Sequence, residues 1–164
     1  MTPVLLLKLF HIVTAIWLIS GLAGRWVVLA AAARSGEIGT TRALVDVAGR
    51  FEMGMVRPAS VGVLLSGLGL AYVQDQPLLG MFQGAGANWL LVSLLLYLTS
   101  IPLVVGVFLP RGKIFDHALH DASAAGVVTP QLRAALADRV VLGGHVVEMV
   151  TVCLILTLMV TRFF

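Results

Sequence analysis

Long apolar runs separated by short polar segments make up most of the chain. A helix that crosses a bilayer needs about 20 mostly apolar residues, because lipid offers no hydrogen-bond partner to an unpaired backbone group. Four runs meet this requirement and predict spans at about 4–33, 56–74, 89–109 and 139–161. We therefore predict a single domain over residues 1–164 with an all-α fold, an integral membrane antiparallel four-helix transmembrane bundle.

The polar connections carry helix signals of their own. Two threonines are placed to cap a helix that begins near Arg42, and Pro58 is expected to kink or restart that helix at the second span. Thr129 before Pro130 is a strong helix start, and no breaker follows it, so the last helix is predicted to begin ahead of its span. A short loop is expected over 80–88. The first run opens without a charged side chain and is too long for a signal peptide, so we expect it to be retained.

Composition narrows the class of protein. The 164 residues are 59% hydrophobic and only 12% charged, whereas a soluble domain averages about 45–50% apolar and about 25% charged residues. A single cysteine excludes an intrachain disulfide and any CxxC motif. The basic residues are spread between apolar runs and form no stripe, so no nucleic-acid partner is expected. The expected partners are the lipid bilayer and other membrane protein subunits.

Positive charge marks one side of the membrane. Eight of the 11 Lys and Arg residues lie in the first and third connections between spans, whereas segment 74–88 carries none. Basic connections face the cytoplasm, so both termini are predicted to lie outside (N-out and C-out). The eight residues are Arg34, Arg42, Arg50, Arg57, Arg111, Lys113, Arg133 and Arg139.

Ionisable side chains inside a span are costly and mark candidate sites. Arg25 falls near the inner end of span one, and Glu148 lies in span four, about 12 Å higher by helical rise. Because an uncompensated carboxylate in hydrocarbon is unfavourable, we predict that Arg25 and Glu148 form a structural polar cluster that His145 joins. The alternatives are that Arg25 extends to the headgroups at the inner interface, or that Glu148 serves in a proton relay.

His11 lies about 10 Å below the outer end of span one by helical rise. One interpretation is a buried neutral imidazole bonded to a hydroxyl on a neighbouring span, such as Tyr97, Ser93 or Ser66. The other is an axial haem ligand, because imidazoles on membrane helices serve that role. His145 lies at a different depth, which disfavours one haem held by both histidines.

Two further groups of side chains are candidate metal ligands. His145, Met149 and Cys153 recur every four residues and offer the soft donors that suit Cu(I). Ordinary apolar packing of the Met and Cys is the alternative. In the segment DHALHD, residues 116–121, two histidines and two aspartates form either a divalent-metal site or a solvated polar face.

The run KLFHIVTAIWLISGL, residues 8–22, and the segment RFE, residues 50–52, ahead of Pro58 resemble an uncharacterised bacterial family of small four-span integral membrane proteins. More distantly, the first helix is similar to HemJ-type protoporphyrinogen oxidases and CopD-type copper-resistance proteins. The first resemblance implies the bacterial inner (plasma) membrane. The HemJ resemblance implies a b-type haem (haem b) with His11 among the residues that bind it.

Three classes of function follow. The chain carries no nucleophile triad, HExxH, P-loop or nucleotide-binding fingerprint, and we assign no catalytic residue. The primary prediction is a non-catalytic bundle or an accessory subunit of a larger membrane assembly. The alternative is a small membrane redox protein with haem b at His11. A third is copper or ion handling along span four.

Overall fold

The computed structural model describes residues 2–84 and 88–162, and every regular element within them is helical. Four long helices dominate: α1 (Pro3–Arg34), α2 (Ile38–Val73), α3 (Trp89–Ala125) and α4 (Pro130–Thr161). Each is long and apolar enough to cross a membrane. The predicted all-helical membrane fold is therefore confirmed. Residues 85–87 of the predicted loop over 80–88 lie outside the described residues.

Helix α2 begins earlier than the sequence suggested and has an irregular middle. Its first α-helical part is Ile38–Phe51, so the expected start near Arg42 was too late. A π-helical turn, Glu52–Val56, follows, and Arg57–Val73 completes the helix. The chain neither breaks nor restarts at Pro58, because the wider turn ahead of the proline accommodates its ring.

Helix α3 repeats this arrangement. Its α-helical parts are Trp89–Leu98, Ser100–Leu103 and Leu109–Ala125, and a π-helical turn, Val104–Phe108, separates the last two. This π turn also ends two residues before a proline, Pro110. The helix extends to Ala125, beyond the membrane span predicted over 89–109. A 3₁₀ turn, Gly80–Gln83, lies between α2 and α3.

Helix α4 starts at the predicted signal but contains a break. The Thr129 hydroxyl accepts a hydrogen bond from the Leu132 amide at 3.2 Å and caps the part Pro130–Leu136. The helix then stops and restarts as Arg139–Thr161. Asp138 supports the restart, since its carboxylate accepts from the Val140 amide at 2.8 Å. The expectation of an unbroken last helix was therefore wrong.

The helices associate in two pairs. Helix α1 packs against all three parts of α2, and the first part of α3 packs against α4. The pairs meet where Leu18 and Leu22 of α1 contact Val56 and Ala59 of α2, with Met149 of α4 packed against them. The end of the bundle that carries connections 34–57 and 110–139 is called the basic end below.

A second apolar cluster lies at the basic end. Ala118 and Ala122 of α3 pack against Leu132 of α4, and all three are buried. The helices α3 and α4 therefore remain in contact in the stretch that the sequence assigned to a connection.

Candidate functional site

Arg25 is the centre of a buried polar cluster. Its side chain is 11% exposed, its Nη1 pairs with a Glu52 oxygen, and its Nη2 lies 2.5 Å from Glu148 Oε2. Nη2 also lies 3.2 Å from His145 Nδ1. A single arginine of α1 thus binds side chains of α2 and α4.

The contact with arginine fixes the proton on His145. Because a guanidinium only donates hydrogen bonds, Nδ1 of His145 accepts from Arg25 and the ring proton lies on Nε2. The Phe108 ring of α3 stacks on the imidazole, with centroids 4.8 Å apart and planes 25° from parallel. Arg25 Cζ lies 5.8 Å from the centre of the same phenyl ring. All four helices therefore contribute a side chain to the cluster.

Both π turns supply a member of this cluster. Glu52 is the first residue of the π turn in α2, and Phe108 is the last residue of the π turn in α3. Such turns recur at functional sites, because the extra residue redirects the side chains around it. Here they aim a carboxylate and an aromatic ring at the same arginine.

The charges of the cluster balance. Glu52 pairs through Oε2 with Arg25 and accepts through Oε1 from Nε of Arg57 at 3.1 Å. Two arginines therefore face the carboxylates of Glu52 and Glu148, as the high cost of an unpaired buried charge requires. Among the described residues, Nε of Arg25 is a buried polar atom without a hydrogen-bond partner.

A cleft of about 1180 Å³ opens beside the cluster. All four helices line it, and it runs from Leu18 in α1 toward the basic end. Arg25, Glu52 and His145 form part of its wall. On one side, Tyr97 of α3 donates a hydrogen bond to the Ser60 carbonyl of α2 at 3.0 Å. The cluster thus borders a space large enough for a ligand.

His11 lies away from this cleft, between α1 and α2. Its Nδ1 is 2.9 Å from the Ser66 hydroxyl, and that hydroxyl donates to the Gly62 carbonyl at 2.5 Å. The imidazole is half-buried and packs on Gly67, where an added Cβ would lie 3.2 Å from His11 Cε1. Of the three hydroxyls considered from the sequence, the structure brings Ser66 to His11.

The candidate copper ligands in span four occupy different surroundings. His145 is buried against Arg25, Met149 packs in the apolar cluster around Leu18, and Cys153 is exposed. In the 116–121 segment, Nδ1 of His120 lies 3.6 Å from Oδ1 of Asp121, and both side chains are largely exposed. No group of three or more His, Cys, Asp or Glu that could hold a metal occurs within residues 2–84 and 88–162.

Sequence reasoning placed Arg25, His145 and Glu148 in one group but missed Glu52 and Phe108. Glu52 stands in a segment assigned to a polar connection, and Phe108 is one of many apolar residues in its span. One signal was available for Glu52. It is the acidic residue immediately ahead of the second span, so it was a plausible second partner for a buried arginine.

These features define a multi-pass helical membrane protein whose spans are joined by a buried polar cluster. Comparison with known families agrees, because the family described as "Predicted integral membrane protein (DUF2269)" matches residues 5–163. The chain belongs to this family. No curated protein matches the chain. No solved structure matches it either.

Proposed function

We propose that this protein is a non-catalytic accessory subunit of a larger membrane assembly. The observation that carries the proposal is how little the four spans bury against one another. In the most apolar window of each helix, the buried share is 17% for α1, 22% for α2, and 11% for both α3 and α4. Most of the apolar surface is therefore available to lipid and to partner helices.

The polar cluster supports a structural role rather than a catalytic one. Both carboxylates are engaged by arginine, and the acceptor nitrogen of His145 is occupied by the same guanidinium. Groups bound in this way hold helices in register, because separating them would leave buried charges without partners. The cluster thus stabilises a bundle whose apolar contacts are sparse.

The test is to recover the protein with its neighbours from native membranes. A photo-crosslinking residue at Val27 or Val105, which are 67% and 60% exposed, should join the protein to one other membrane polypeptide in fixed ratio. The same residue at Leu22, which is 3% exposed, is the matched control and should yield no such product. Crosslinking to lipid alone, together with migration as a single chain on native gels, would contradict the proposal.

A specific observation favours haem b at His11 as the second candidate. If the Ser66 hydroxyl donates to the Gly62 carbonyl, then Nδ1–H of His11 donates to Ser66 and the Nε2 lone pair is left for a ligand. A hydrogen bond that fixes the tautomer in this way is typical of metal-binding histidines. His11 would hold the iron, and haem would supply one-electron chemistry. His145 does not share this feature, since Arg25 occupies its acceptor nitrogen.

An absorption spectrum tests the haem candidate. Purified wild-type protein should show a Soret band, His11→Ala should abolish it without loss of folding, and His117→Ala should retain it. A colourless wild type after haem supplementation would eliminate this function and leave His11 as a packing residue. Copper handling along span four has weaker support, because the side chains of its candidate ligands lie in different surroundings.

We further propose that the chain lies in a bacterial inner membrane with both termini outside. Support comes from the eight basic residues in the two connections at the basic end, against none in segment 74–88. The positive-inside rule assigns such an end to the cytoplasm.

A further inference from the structure

The large cleft is not explained by the structural role of the polar cluster. Its volume of about 1180 Å³ exceeds the roughly 300–1,000 Å³ of most small-molecule pockets. Much of its wall is apolar, with Leu22 and Trp26 on one side and Leu103 and Val104 on another. Since the helices that line it cross the membrane, an occupant needs an apolar body.

Positive charge is available where the cleft reaches the basic end. Arg34 and Lys113 both line the cleft, and both are exposed. Neither takes part in the ion pairs found among the described residues. By contrast, Arg57 and Arg111, which also line it, are paired with acidic side chains. Asp116 also lines the cleft and forms none of these ion pairs, so two cations and one carboxylate in the wall are free, with a net charge of +1 to receive a negative group.

We propose that this cleft binds an anionic phospholipid. Its acyl chains lie along the apolar wall beside Trp26 and Leu103, and its phosphate group contacts Arg34 and Lys113. Basic pockets between membrane helices on the cytoplasmic side recognise lipid headgroups in this way. The site is a new assignment that does not depend on the accessory-subunit function, because a lipid in the cleft is compatible with a chain that acts alone.

The charge complementarity can be tested by titrating detergent-solubilised protein with dioleoylphosphatidylglycerol or dioleoylphosphatidylcholine and counting bound lipids by native mass spectrometry. Wild type should bind the anionic lipid more tightly. The double variant Arg34→Gln, Lys113→Gln should weaken that binding by roughly 25-fold, since each basic residue near a membrane surface contributes about fivefold.

The matched control is the double variant Arg42→Gln, Arg133→Gln. It removes the same charge from the same two connections, at exposed positions outside the cleft wall. This variant should bind phosphatidylglycerol within about twofold of wild type, as expected for residues outside the site. Equal losses in the two double variants would show general attraction to the basic end and overturn the proposal. Equal wild-type affinity for the two lipids would also overturn it.

A steric pair of variants tests the site independently of charge. Val104 lines the cleft, whereas its neighbour Val105 does not, and both are exposed. Val104→Trp should reduce the number of retained phosphatidylglycerol molecules by one, and Val105→Trp should leave it unchanged. Competition with inorganic phosphate separates a lipid site from a site for a free anion. If millimolar phosphate displaces the lipid completely, the site recognises a free anion, and the lipid assignment is wrong.

Discussion

At the residue scale, Arg25 is a buried cation that depends on its partners. Its guanidinium is held by two carboxylates and an imidazole from two other helices. Such a group is costly to bury, and its partners offset that cost only while all of them remain. Removing the arginine is therefore expected to be worse than neutralising one of its partners.

We predict that Arg25→Ala destabilises the protein by about 3–5 kcal/mol, because it leaves the buried carboxylate of Glu148 without an arginine and Glu52 with Arg57 alone. Glu148→Gln should cost less, since the amide still accepts a hydrogen bond and Glu52 still balances the charge. Thermal unfolding in detergent measures both variants, and a double-mutant cycle gives their coupling. Coupling near zero would mean that the contact between Arg25 and Glu148 contributes nothing to stability.

The close packing of α1 against α2 also depends on a glycine, Gly21. A Cβ at Gly21 would lie 2.8 Å from Met55 Cβ and 3.3 Å from the Val56 backbone nitrogen. Neither atom belongs to the flexible end of a side chain, so the helices must move apart to accept the methyl group.

We therefore expect Gly21→Ala to cost about 1–3 kcal/mol, the usual penalty for overpacking. Gly143→Ala is the matched control, because no heavy atom lies within 4 Å of its added Cβ. It should be neutral or stabilising by about 0.5–1 kcal/mol, since alanine favours helix over glycine. The midpoints of thermal unfolding measure both variants. Equal shifts for Gly21→Ala and Gly143→Ala would contradict the close packing of α1 on α2 at Gly21.

At the element scale, both π turns stand at the same distance from a proline. Glu52–Val56 ends two residues before Pro58, and Val104–Phe108 ends two residues before Pro110. A proline ring clashes with the carbonyl four residues earlier, which here belongs to Gly54 in the first turn and Gly106 in the second. Widening the helix at that carbonyl relieves the clash without breaking the helix.

If the first π turn serves to aim Glu52 at Arg25, removing its cause should weaken that ion pair. We predict that Pro58→Ala fails to stabilise the protein, although alanine is favoured over proline inside a helix by about 3 kcal/mol. In the Glu52→Gln background, Pro58→Ala should change the free energy of unfolding more favourably than it does in wild type, because the contact it disturbs is already weakened. Thermal unfolding of the four proteins gives the coupling. Strictly additive changes in the free energy of unfolding would show that the π turn does not position Glu52 for the ion pair.

The elements differ in how far the sequence predicts them. The four spans follow from hydropathy, because a bilayer requires long apolar helices. The contact between Arg25 and Glu148 was also predicted, since a charged side chain in hydrocarbon needs a partner of opposite charge. The π turns were not predicted, because a proline signals only that a helix is perturbed and not how the perturbation is accommodated. The directions of the Glu52 and Phe108 side chains depend on those turns, so their place in the cluster was not predicted either.

At the scale of the whole molecule, the two helix pairs form an open bundle rather than a closed one. Helices α1 and α2 pack closely, α3 packs on α4, and the cleft lies between the pairs. Contacts near Leu18 and around Arg25 join the pairs. An open bundle with sparse internal burial accommodates lipid and partner helices, which agrees with both proposals above.

The antiparallel arrangement also fixes which segments share a side of the membrane. Four alternating spans place the connections 34–57 and 110–139 at the same end and segment 74–88 at the other. Eight basic residues therefore accumulate at one end while the opposite connection has none. Because cytoplasmic loops hold Lys and Arg during insertion, we predict that the basic end is cytoplasmic and both termini are outside.

Reporter fusions test this orientation directly. Alkaline phosphatase, which needs an oxidising compartment, should be active after Gly84 and inactive after Ala125, whereas a cytoplasmic fluorescent reporter should give the opposite result. A fusion after Gly36, in the other basic connection, is the internal control and should behave like the one after Ala125. The reverse pattern at all three sites would place the basic end outside the cytoplasm, contrary to its charge. Disagreement between Gly36 and Ala125 would contradict the four-span arrangement itself, because the two connections can share a side only if an even number of helices separates them.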